Sequence, residues 1–399
     1  MLSAPPAQVA LSVGEPVADD GWVDSQGGPI SIYDDTRGGR PTVLVVCASP
    51  MDIAPVLSGF RDRHQAFLAL GAQVLVITGK PQPEIAPVPL MMGLSMPVVS
   101  DSKFLLGRAA GFDTRGGPTA WRIAILSPLM RIERILDPSV NDPAGTTLAI
   151  LQAAAKFSQP YIVRTQPPVL VLPDVLPPEL CRDLITLFHQ SRTYRGGTTD
   201  GASGYHLTQT KVREDAMVGD TGPEGRAVYE NFRRRVFPEM YKAFRYRITR
   251  VETMRLGCYD AQESGRFGPH RDDNVARLRH RRFGFSINLN TGEYEGGYLR
   301  FPEYGPQLYA PDPGGMVVFA ASLLHEAMPV IRGKRFGVFG FLFGEADEAW
   351  RYKNNPTWES TKVDTEEGSH HYGRGTEDLP DLAEGSGVWD GLPIKPPKG

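Results

Sequence analysis

A chain of 399 residues exceeds what one hydrophobic core usually organises, so two domains with tails are expected. Apolar residues make up 41% of the chain and charged residues 22%, which is typical of a folded protein and excludes a disordered polyelectrolyte. The formal net charge of −3 argues against binding to nucleic acid or to an anionic membrane, because both favour a basic surface.

The cysteines and the N-terminus indicate the expected compartment. Cys47, Cys181 and Cys258 lie far apart in the sequence, so neither a disulfide framework nor a cysteine zinc site is expected. No basic segment followed by an apolar one is visible at the N-terminus, and no apolar run reaches the ~18 residues that a bilayer span needs. We therefore expect a cytoplasmic location.

The first part of the chain alternates strand and helix patterns, which is typical of an α/β layer. Continuous apolar, β-branched runs predict strands that are buried on both faces. The predicted strands are residues 42–48, 72–78, 96–100 and 122–126, and the predicted helices are residues 53–70 and 144–157. We assign residues 1–157 to one α/β domain.

The pattern changes after residues 158–168, which hold three prolines and are predicted to form a linker. Residues 169–345 contain many short strands joined by Gly/Pro turns, which favours an all-β sandwich or jelly roll. Within them, segment 283–290 alternates apolar with small or polar residues, so we expect a half-buried strand. Residues 346–399 are polar and lack periodicity, which predicts a tail.

Three residues of the second domain form a candidate metal site. In extended backbone the side chains of His270 and Asp272 share a face and can reach one ion, although such a pair alone is equally consistent with a polar turn. His325 follows 55 residues after His270, directly after a hydrophobic strand. Two imidazoles and one carboxylate leave three octahedral positions open, as in non-haem Fe(II) oxygenases, whereas structural zinc is normally closed by a fourth protein ligand.

Arg335 is the candidate for binding an anion beside that metal. On a predicted strand it shares its face with Gly337 and Phe339, and an inward guanidinium is costly unless it meets an anion. A dicarboxylate cosubstrate would supply one, because the planar guanidinium matches a carboxylate. The alternative is an arginine at a sheet edge whose head group reaches water.

These residues lie in segments that resemble a known family. Pro269-His-Arg-Asp272, the Gly-Gly-x-Leu-x-Phe segment within 294–302, His325 and Gly333-Lys-Arg335 occur in the family's order. Residues 165–345 therefore resemble the Fe(II)/2-oxoglutarate-dependent dioxygenases of the prolyl 4-hydroxylase-like superfamily. The resemblance implies a double-stranded β-helix (jelly roll) with flanking helices.

The resemblance also implies the chemistry. Fe(II) would be held by His270, Asp272 and His325, and 2-oxoglutarate by Arg335 and Tyr259, with ascorbate as a reductant. A C–H bond of a peptidyl (prolyl-type) or small amino-acid-like substrate would be hydroxylated, with release of succinate and CO2. The chain departs from the family at Gly337, where a hydroxyl residue often assists the arginine, and in the polar loop after Tyr259.

Residues 8–155 resemble the peroxiredoxin branch of the thioredoxin fold, but the catalytic thiol is missing. The alignment places Leu57 at the expected cysteine and Ala54 at the expected threonine, while Cys47 lies inside a predicted buried strand. We therefore expect a non-catalytic module that mediates dimerisation or another protein contact.

Two alternatives to an oxygenase remain at this point. One is a non-catalytic metal-binding sensor or interaction protein on the same fold, and the other is a metal hydrolase with the same ligands. Arg335 argues against the hydrolase, which has no cosubstrate carboxylate to hold. We further expect the glycine-rich stretch 195–204 to cover the site and the basic cluster 277–282, with His280, to lie on a solvated loop.

Overall fold

The computed structural model describes residues 10–17, 19, 21–34, 36–103, 105–111, 121–155, 162–200, 204–206, 209–219, 222–354 and 360–362. The tail predicted for residues 346–399 lies largely outside the described residues, as does the first part of the linker predicted for 158–168. The positions of these boundaries therefore stay predictions.

The N-terminal part is a mixed sheet between helices. Its strands are β1 (Val23–Asp24), β2 (Thr42–Cys47), β3 (Gln73–Thr78), β4 (Val98–Ser100), β5 (Trp121–Leu126) and β6 (Ile132–Leu136). Its helices are α1 (Ala54–Asp62), α2 (His64–Ala69), α3 (Gln82–Ile85), α4 (Val88–Met92), α5 (Leu105–Ala109) and α6 (Pro143–Ala155). The single helix expected over residues 53–70 is divided, because the chain leaves helical geometry at Arg63.

The sheet order β1-β4-β3-β2-β5-β6 places β2 at the centre, parallel to β3 and antiparallel to β5. Alternate residues of β2 enter two separate hydrophobic clusters, one with Val43 and Val45 and the other with Leu44 and Val46. A strand that is buried on both faces requires the continuous apolar run seen in the sequence. This mixed sheet with helices on both faces is the thioredoxin-like arrangement.

The C-terminal part is mostly β-structure. Its longer strands are β7 (Val169–Leu172), β12 (Glu214–Met217), β14 (Arg255–Asp260), β15 (Arg266–His270), β16 (Phe283–Asn288), β20 (Met316–Ala320) and β23 (Lys334–Phe343). Its shorter strands are β8 (Tyr194–Arg195), β9 (Thr198–Asp200), β10 (Gly204–His206), β11 (Lys211–Val212), β13 (Arg250–Glu252), β17 (Glu295–Gly296), β18 (Leu299–Arg300), β19 (Leu308–Tyr309), β21 (His325–Ala327), β22 (Val330–Arg332) and β24 (Ser360–Lys362). Its helices are α7 (Pro178–Gln190), α8 (Pro223–Arg235), α9 (Phe237–Phe244) and α10 (Glu345–Asn354).

Two sheets form the jelly roll. The major sheet has the order β7-β20-β16-β23-β14-β12-β8, and the minor sheet has the order β11-β15-β21-β18-β19. Helices α7, α8 and α9 contribute to the core on the major sheet. They are helices that flank the jelly roll, as the resemblance implied. The first residues of the predicted tail form α10, whose Asp347 accepts hydrogen bonds from Tyr246 and Arg282.

Strand β16 corrects one expectation. The alternating pattern of 283–290 predicted a half-buried strand, but Phe285 and Ile287 face the core while Ser286 and Asn288 are buried as well. The polar face is buried because it contacts the guanidinium of Arg335. In β16 the alternating polar residues therefore face a polar interior and not solvent.

The two parts of the chain contact each other through buried ion pairs. The Arg131 guanidinium, next to β6, lies 3.2 Å from Glu239 on α9 and donates to the Arg235 carbonyl oxygen at 2.8 Å. The Arg235 side chain in turn donates to Glu15 at 2.9 Å. These contacts fix the N-terminal part against the helices behind the major sheet.

Within the described residues, none of the helices is both long and apolar enough to cross a bilayer.

Candidate active site

The structure brings the three predicted metal ligands together. His270 ends β15 and pairs in register with His325, which begins β21. Asp272 follows β15, and its N–H donates to the Ala321 carbonyl oxygen at 2.9 Å. One ligand atom from each of His270, Asp272 and His325 lies within 4.8 Å of the others. Neighbouring strands of the minor sheet thus place residues remote in sequence around one point.

Backbone carbonyls fix how the two imidazoles are protonated. The His270 Nδ1 lies 2.8 Å from the Gly268 carbonyl oxygen, and the His325 Nδ1 lies 2.9 Å from that of Leu323. Because a carbonyl can only accept, each Nδ1–H is the donor, so in the neutral ring the lone pair lies on Nε2. The Nε2 atoms of His270 and His325 lie 3.5 and 3.4 Å from the carboxylate oxygens of Asp272.

The electrostatics favour a neutral His325 and an ionised Asp272. Burial lowers the pKa of His325 to about 4, so its imidazole is neutral at pH 7. Burial alone would raise the pKa of Asp272, but the neighbouring imidazoles, His325 foremost, hold that pKa well below its ordinary value. Neutral imidazole and carboxylate are the forms that bind a divalent metal.

The imidazoles are also shielded by aromatic rings. Phe267 stacks on His270 with ring centroids 3.5 Å apart, and the rings of Phe319 and His325 lie 4.4 Å apart. These contacts restrict the orientation of both ligands and exclude water from their outer faces.

Arg335 lies in the same cavity and is only 2% exposed. Its Nη1 donates to the Gly297 carbonyl oxygen at 2.7 Å, and its Nη2 to Ser286 Oγ at 2.8 Å and Asn288 Oδ1 at 3.0 Å. The Nε–H is buried without a hydrogen-bond partner. Among the described residues, no carboxylate pairs with this guanidinium, which therefore suits an anionic ligand.

The hydroxyl that the sequence lacks at position 337 is supplied by another strand. Ser286 on β16 lies beside Arg335 because β16 pairs with β23. Gly337 leaves the space beside the arginine to the Phe339 ring and to the backbone of β16. Although position 337 is glycine, Arg335 therefore still has a hydroxyl partner, which is Ser286.

Tyr259 is close to Arg335 but is engaged by another residue. Its ring centroid lies 5.4 Å from the Arg335 Cζ, and its hydroxyl accepts from Arg213 Nη1 at 3.2 Å. Tyr259 lines the same cavity, so the structure places it where the sequence predicted. A role for it in cosubstrate binding remains a prediction.

The cavity has a volume of about 270 Å³ and contains charged residues that the sequence analysis missed. Lys211, Arg213 and Asp215 form a buried ionic cluster on its wall. The three residues are spaced two apart, so in extended backbone their side chains lie on one face. That spacing could have predicted a shared charged face, but not that this face contacts the cavity.

The basic cluster at 277–282 was expected on a solvated loop, and for part of it this is wrong. His280 and Arg281 are buried, and both contact the carboxylate of Glu252. Glu252 lies 28 residues before His280 and neutralises the cluster from β13, a partner that local sequence cannot reveal.

The stretch predicted to cover the site is only partly described. Gly197 and Thr198 line the cavity, whereas residues 201–203 lie outside the described residues. The covering role of this stretch therefore stays a prediction.

The corresponding place in the N-terminal part is apolar. Leu57, at the position of the expected thiol, is buried in α1, and Cys47 is buried in β2. Burial raises the pKa of the Cys47 thiol well above its ordinary value, which disfavours the nucleophilic thiolate.

Known proteins resemble parts of this chain in sequence or in fold. A PKHD-type hydroxylase from Synechococcus sp. (strain JA-2-3B'a(2-13)) is 31% identical over 98 residues, which is 23% of this chain and 43% of that relative. The chain resembles hydroxylases. It nevertheless spans less than half the length of this relative, and no protein-family model matches it.

Solved structures resemble each part separately. A prolyl hydroxylase from Trichoplax adhaerens, in complex with a hypoxia inducible factor peptide fragment, covers 46% of this chain and 86% of its own, at 16% identity and TM-score 0.36. Peroxidoxin BcpB from Mycobacterium tuberculosis covers 36% of this chain and 97% of its own, at 20% identity and TM-score 0.32. Because these TM-scores are low, the fold assignment is based on the strand order and strand pairing described above.

Proposed function

We propose that the C-terminal part is an Fe(II)- and 2-oxoglutarate-dependent dioxygenase that hydroxylates a C–H bond of an organic substrate. The observation that carries the proposal is the shared cavity. Two imidazoles with free Nε2 atoms and one carboxylate face a single point there, and a buried arginine without a carboxylate partner among the described residues lies in the same space. Similarity to PKHD-type hydroxylases supports it.

The residues fit the two groups by their chemistry. His270, Asp272 and His325 would hold Fe(II), whose contribution is the activation of dioxygen. Arg335 would hold the distal carboxylate of 2-oxoglutarate through its Nε–H, while Ser286 and Asn288 keep the guanidinium in place. The net reaction consumes substrate, dioxygen and 2-oxoglutarate, and yields the alcohol, succinate and CO2.

A metal hydrolase and a non-catalytic sensor explain these residues less well than an oxygenase does. A metal hydrolase would gain nothing from a buried arginine beside the metal. A non-catalytic sensor would not need Ser286, Asn288 and the Gly297 carbonyl to hold that arginine. Peptidyl-prolyl and amino-acid-like substrates are both compatible with this site. The N-terminal part is proposed to be a non-catalytic scaffold, with residues 158–168 as the linker.

Succinate release tests the proposal. The purified full-length chain with Fe(II), ascorbate and 2-oxoglutarate should release succinate slowly without prime substrate and faster with it. Asp272→Ala and His270→Ala should reduce the rate to background, since each removes one of the three metal ligands. His64→Ala on α2 is the matched control and should retain the wild-type rate. Equal rates in wild type and Asp272→Ala would refute an oxygenase.

A further inference from the structure

The cavity contains a second group of cations besides Arg335. Lys211 and Arg255 both line it, on β11 of the minor sheet and β14 of the major sheet. The mechanism proposed above uses neither residue. Their surroundings indicate what they could bind.

Lys211 lies close to the metal site. Strand β11 pairs with β15, with Lys211 opposite Phe267. The ammonium lies 5.2 Å from the centroid of the Phe267 ring, which itself stacks on His270. One aromatic ring thus separates this charge from a metal ligand.

The ammonium of Lys211 retains a donor. It donates to the Gly197 carbonyl oxygen at 3.1 Å and to Asp215 Oδ2 at 3.4 Å. An ammonium has three protons, so one has no partner among the described residues. Because Lys211 lines the cavity, that proton is available to a ligand there.

The counter-charge beside Lys211 is shared. Arg213 binds both oxygens of Asp215, with Nε–Oδ1 at 2.5 Å and Nη2–Oδ2 at 3.0 Å. Gly257 makes this possible, because a Cβ there would lie 2.7 Å from Arg213 Cδ. One buried carboxylate therefore serves two buried basic side chains, and a further anion beside them would stabilise the charged form of Lys211.

Arg255 is in a similar position at the opposite sheet. Its nearest carboxylate among the described residues is Glu252 at 3.9 Å, and Glu252 already binds Arg281 through both oxygens at 2.8 and 2.6 Å. The Arg255 guanidinium is partly exposed and makes no hydrogen bond within the described part of the chain. It therefore has donors available at the cavity wall.

We propose that Lys211 and Arg255 form a second anion site in this cavity, and that the prime substrate is a small organic acid held there by its carboxylate or phosphate group. The identity of this anion as the prime substrate rests on the proposed oxygenase function, whereas the anion site itself does not. A volume of about 270 Å³, part of which 2-oxoglutarate would fill, suits a compact acidic group at this wall.

Binding of inorganic sulfate tests the site without turnover. Sulfate is titrated calorimetrically into the full chain loaded with Fe(II) and saturating 2-oxoglutarate under anaerobic conditions. We expect one bound sulfate, with affinity reduced roughly tenfold or more in Lys211→Met and in Arg255→Gln, since each loses charge-assisted hydrogen bonds. Arg255→Gln is the safer variant for folding, because Arg255 is partly exposed.

Matched controls separate this inference from the proposed function. Lys80→Met and Arg182→Gln remove the same charges from exposed helix-associated pairs and should leave sulfate affinity unchanged. Arg335→Met should weaken 2-oxoglutarate binding roughly 10- to 100-fold, while its Lys211/Arg255 site should still bind sulfate. Sulfate binding that is absent, or that is equal in wild type and Lys211→Met, would overturn the second site. Failure of 2-oxoglutarate to bind would instead count against the oxygenase.

Substrate panels then identify the class of acid. Stimulated succinate release is measured with amino acids, with phosphorylated small molecules and with the amides of the same amino acids. The proposal is supported if the acids stimulate succinate release and the amides do not. The stimulation by the acids should also be roughly tenfold lower in Arg255→Gln. Equal stimulation by the amides, or stimulation by an uncharged proline peptide that survives Lys211→Met, would overturn it.

Discussion

Both halves of the molecule resemble enzymes, but they differ in the polar groups that they bury. In the N-terminal sheet, Cys47 is surrounded by apolar residues of one hydrophobic cluster, and burial raises the pKa of its thiol. In the C-terminal cavity, Arg335 is buried with its charge, and hydrogen bonds to Gly297, Ser286 and Asn288 orient its guanidinium. A buried charge without a counter-charge costs free energy and so favours a ligand of opposite charge, whereas a buried thiol alone favours none.

The largest effect that would sharpen this comparison is expected at Arg335. Arg335→Met should weaken 2-oxoglutarate binding roughly 10- to 100-fold, because the charge-assisted hydrogen bond from its Nε–H contributes about 1.5–3 kcal/mol. Fe(II) affinity should change little, since Arg335 is not among the clustered metal-ligating residues. Anaerobic calorimetry measures both affinities.

The control for Arg335→Met is Arg332→Met. Arg332 is a highly exposed arginine on β22, the strand that precedes β23 in the chain. It should leave both affinities at the wild-type level. A wild-type affinity for 2-oxoglutarate in Arg335→Met would show that the buried arginine serves only the fold, and the contrast between the halves would lose its basis.

A smaller effect is expected at Ser286, which orients the arginine. Ser286→Ala removes the hydroxyl 2.8 Å from Arg335 Nη2 and should raise the Kd for 2-oxoglutarate roughly three- to tenfold. Ser286→Thr retains a hydroxyl and should recover part of the affinity. Ser58→Ala on α1, whose hydroxyl bonds only within its helix, is the control for the loss of a hydroxyl. No change in Ser286→Ala would mean that Asn288 and Gly297 suffice to hold Arg335.

A pH dependence of comparable size is expected from Lys211. Burial foremost, together with the nearby Arg213 and Arg255, lowers its pKa to about 7, while Asp215 opposes them. A group with a lowered pKa is charged below that pKa and neutral above it. Sulfate affinity should therefore be highest below pH 7 and decline as the pH rises through about 7 to 8. Calorimetry of the Fe(II)/2-oxoglutarate-loaded protein at several pH values measures this.

Lys211→Met removes the titrating group and should flatten that profile. Sulfate has no proton to lose in this range, so a step that persists in the variant would assign the pH dependence to another group. Lys80→Met, which changes an exposed charge, should reproduce the wild-type profile.

The sequence predicted the parts of the site that depend on short segments. His270 and Asp272 share a face by the period of a strand, and the buried strands of the N-terminal part follow from apolar runs. The sequence did not predict contacts that depend on which strands pair. Ser286 reaches Arg335 only because β16 lies beside β23, and Lys211 reaches the cavity only because β11 lies beside β15.

The smallest effect is expected at Cys47, and it tests the other side of the comparison. Cys47→Ala should leave hydroperoxide consumption and 2-oxoglutarate turnover unchanged, because the thiol is buried and its raised pKa disfavours the thiolate. The free energy of unfolding should fall by about 1 kcal/mol, since a buried sulfur is removed from a packed core. Urea titration and a peroxide assay measure the two quantities, with Cys181→Ala, a buried thiol on α7, as the matched control. If peroxide consumption depended on Cys47 alone, the N-terminal sheet would be a second catalytic domain, and burial of a thiol would no longer separate a scaffold from an active site.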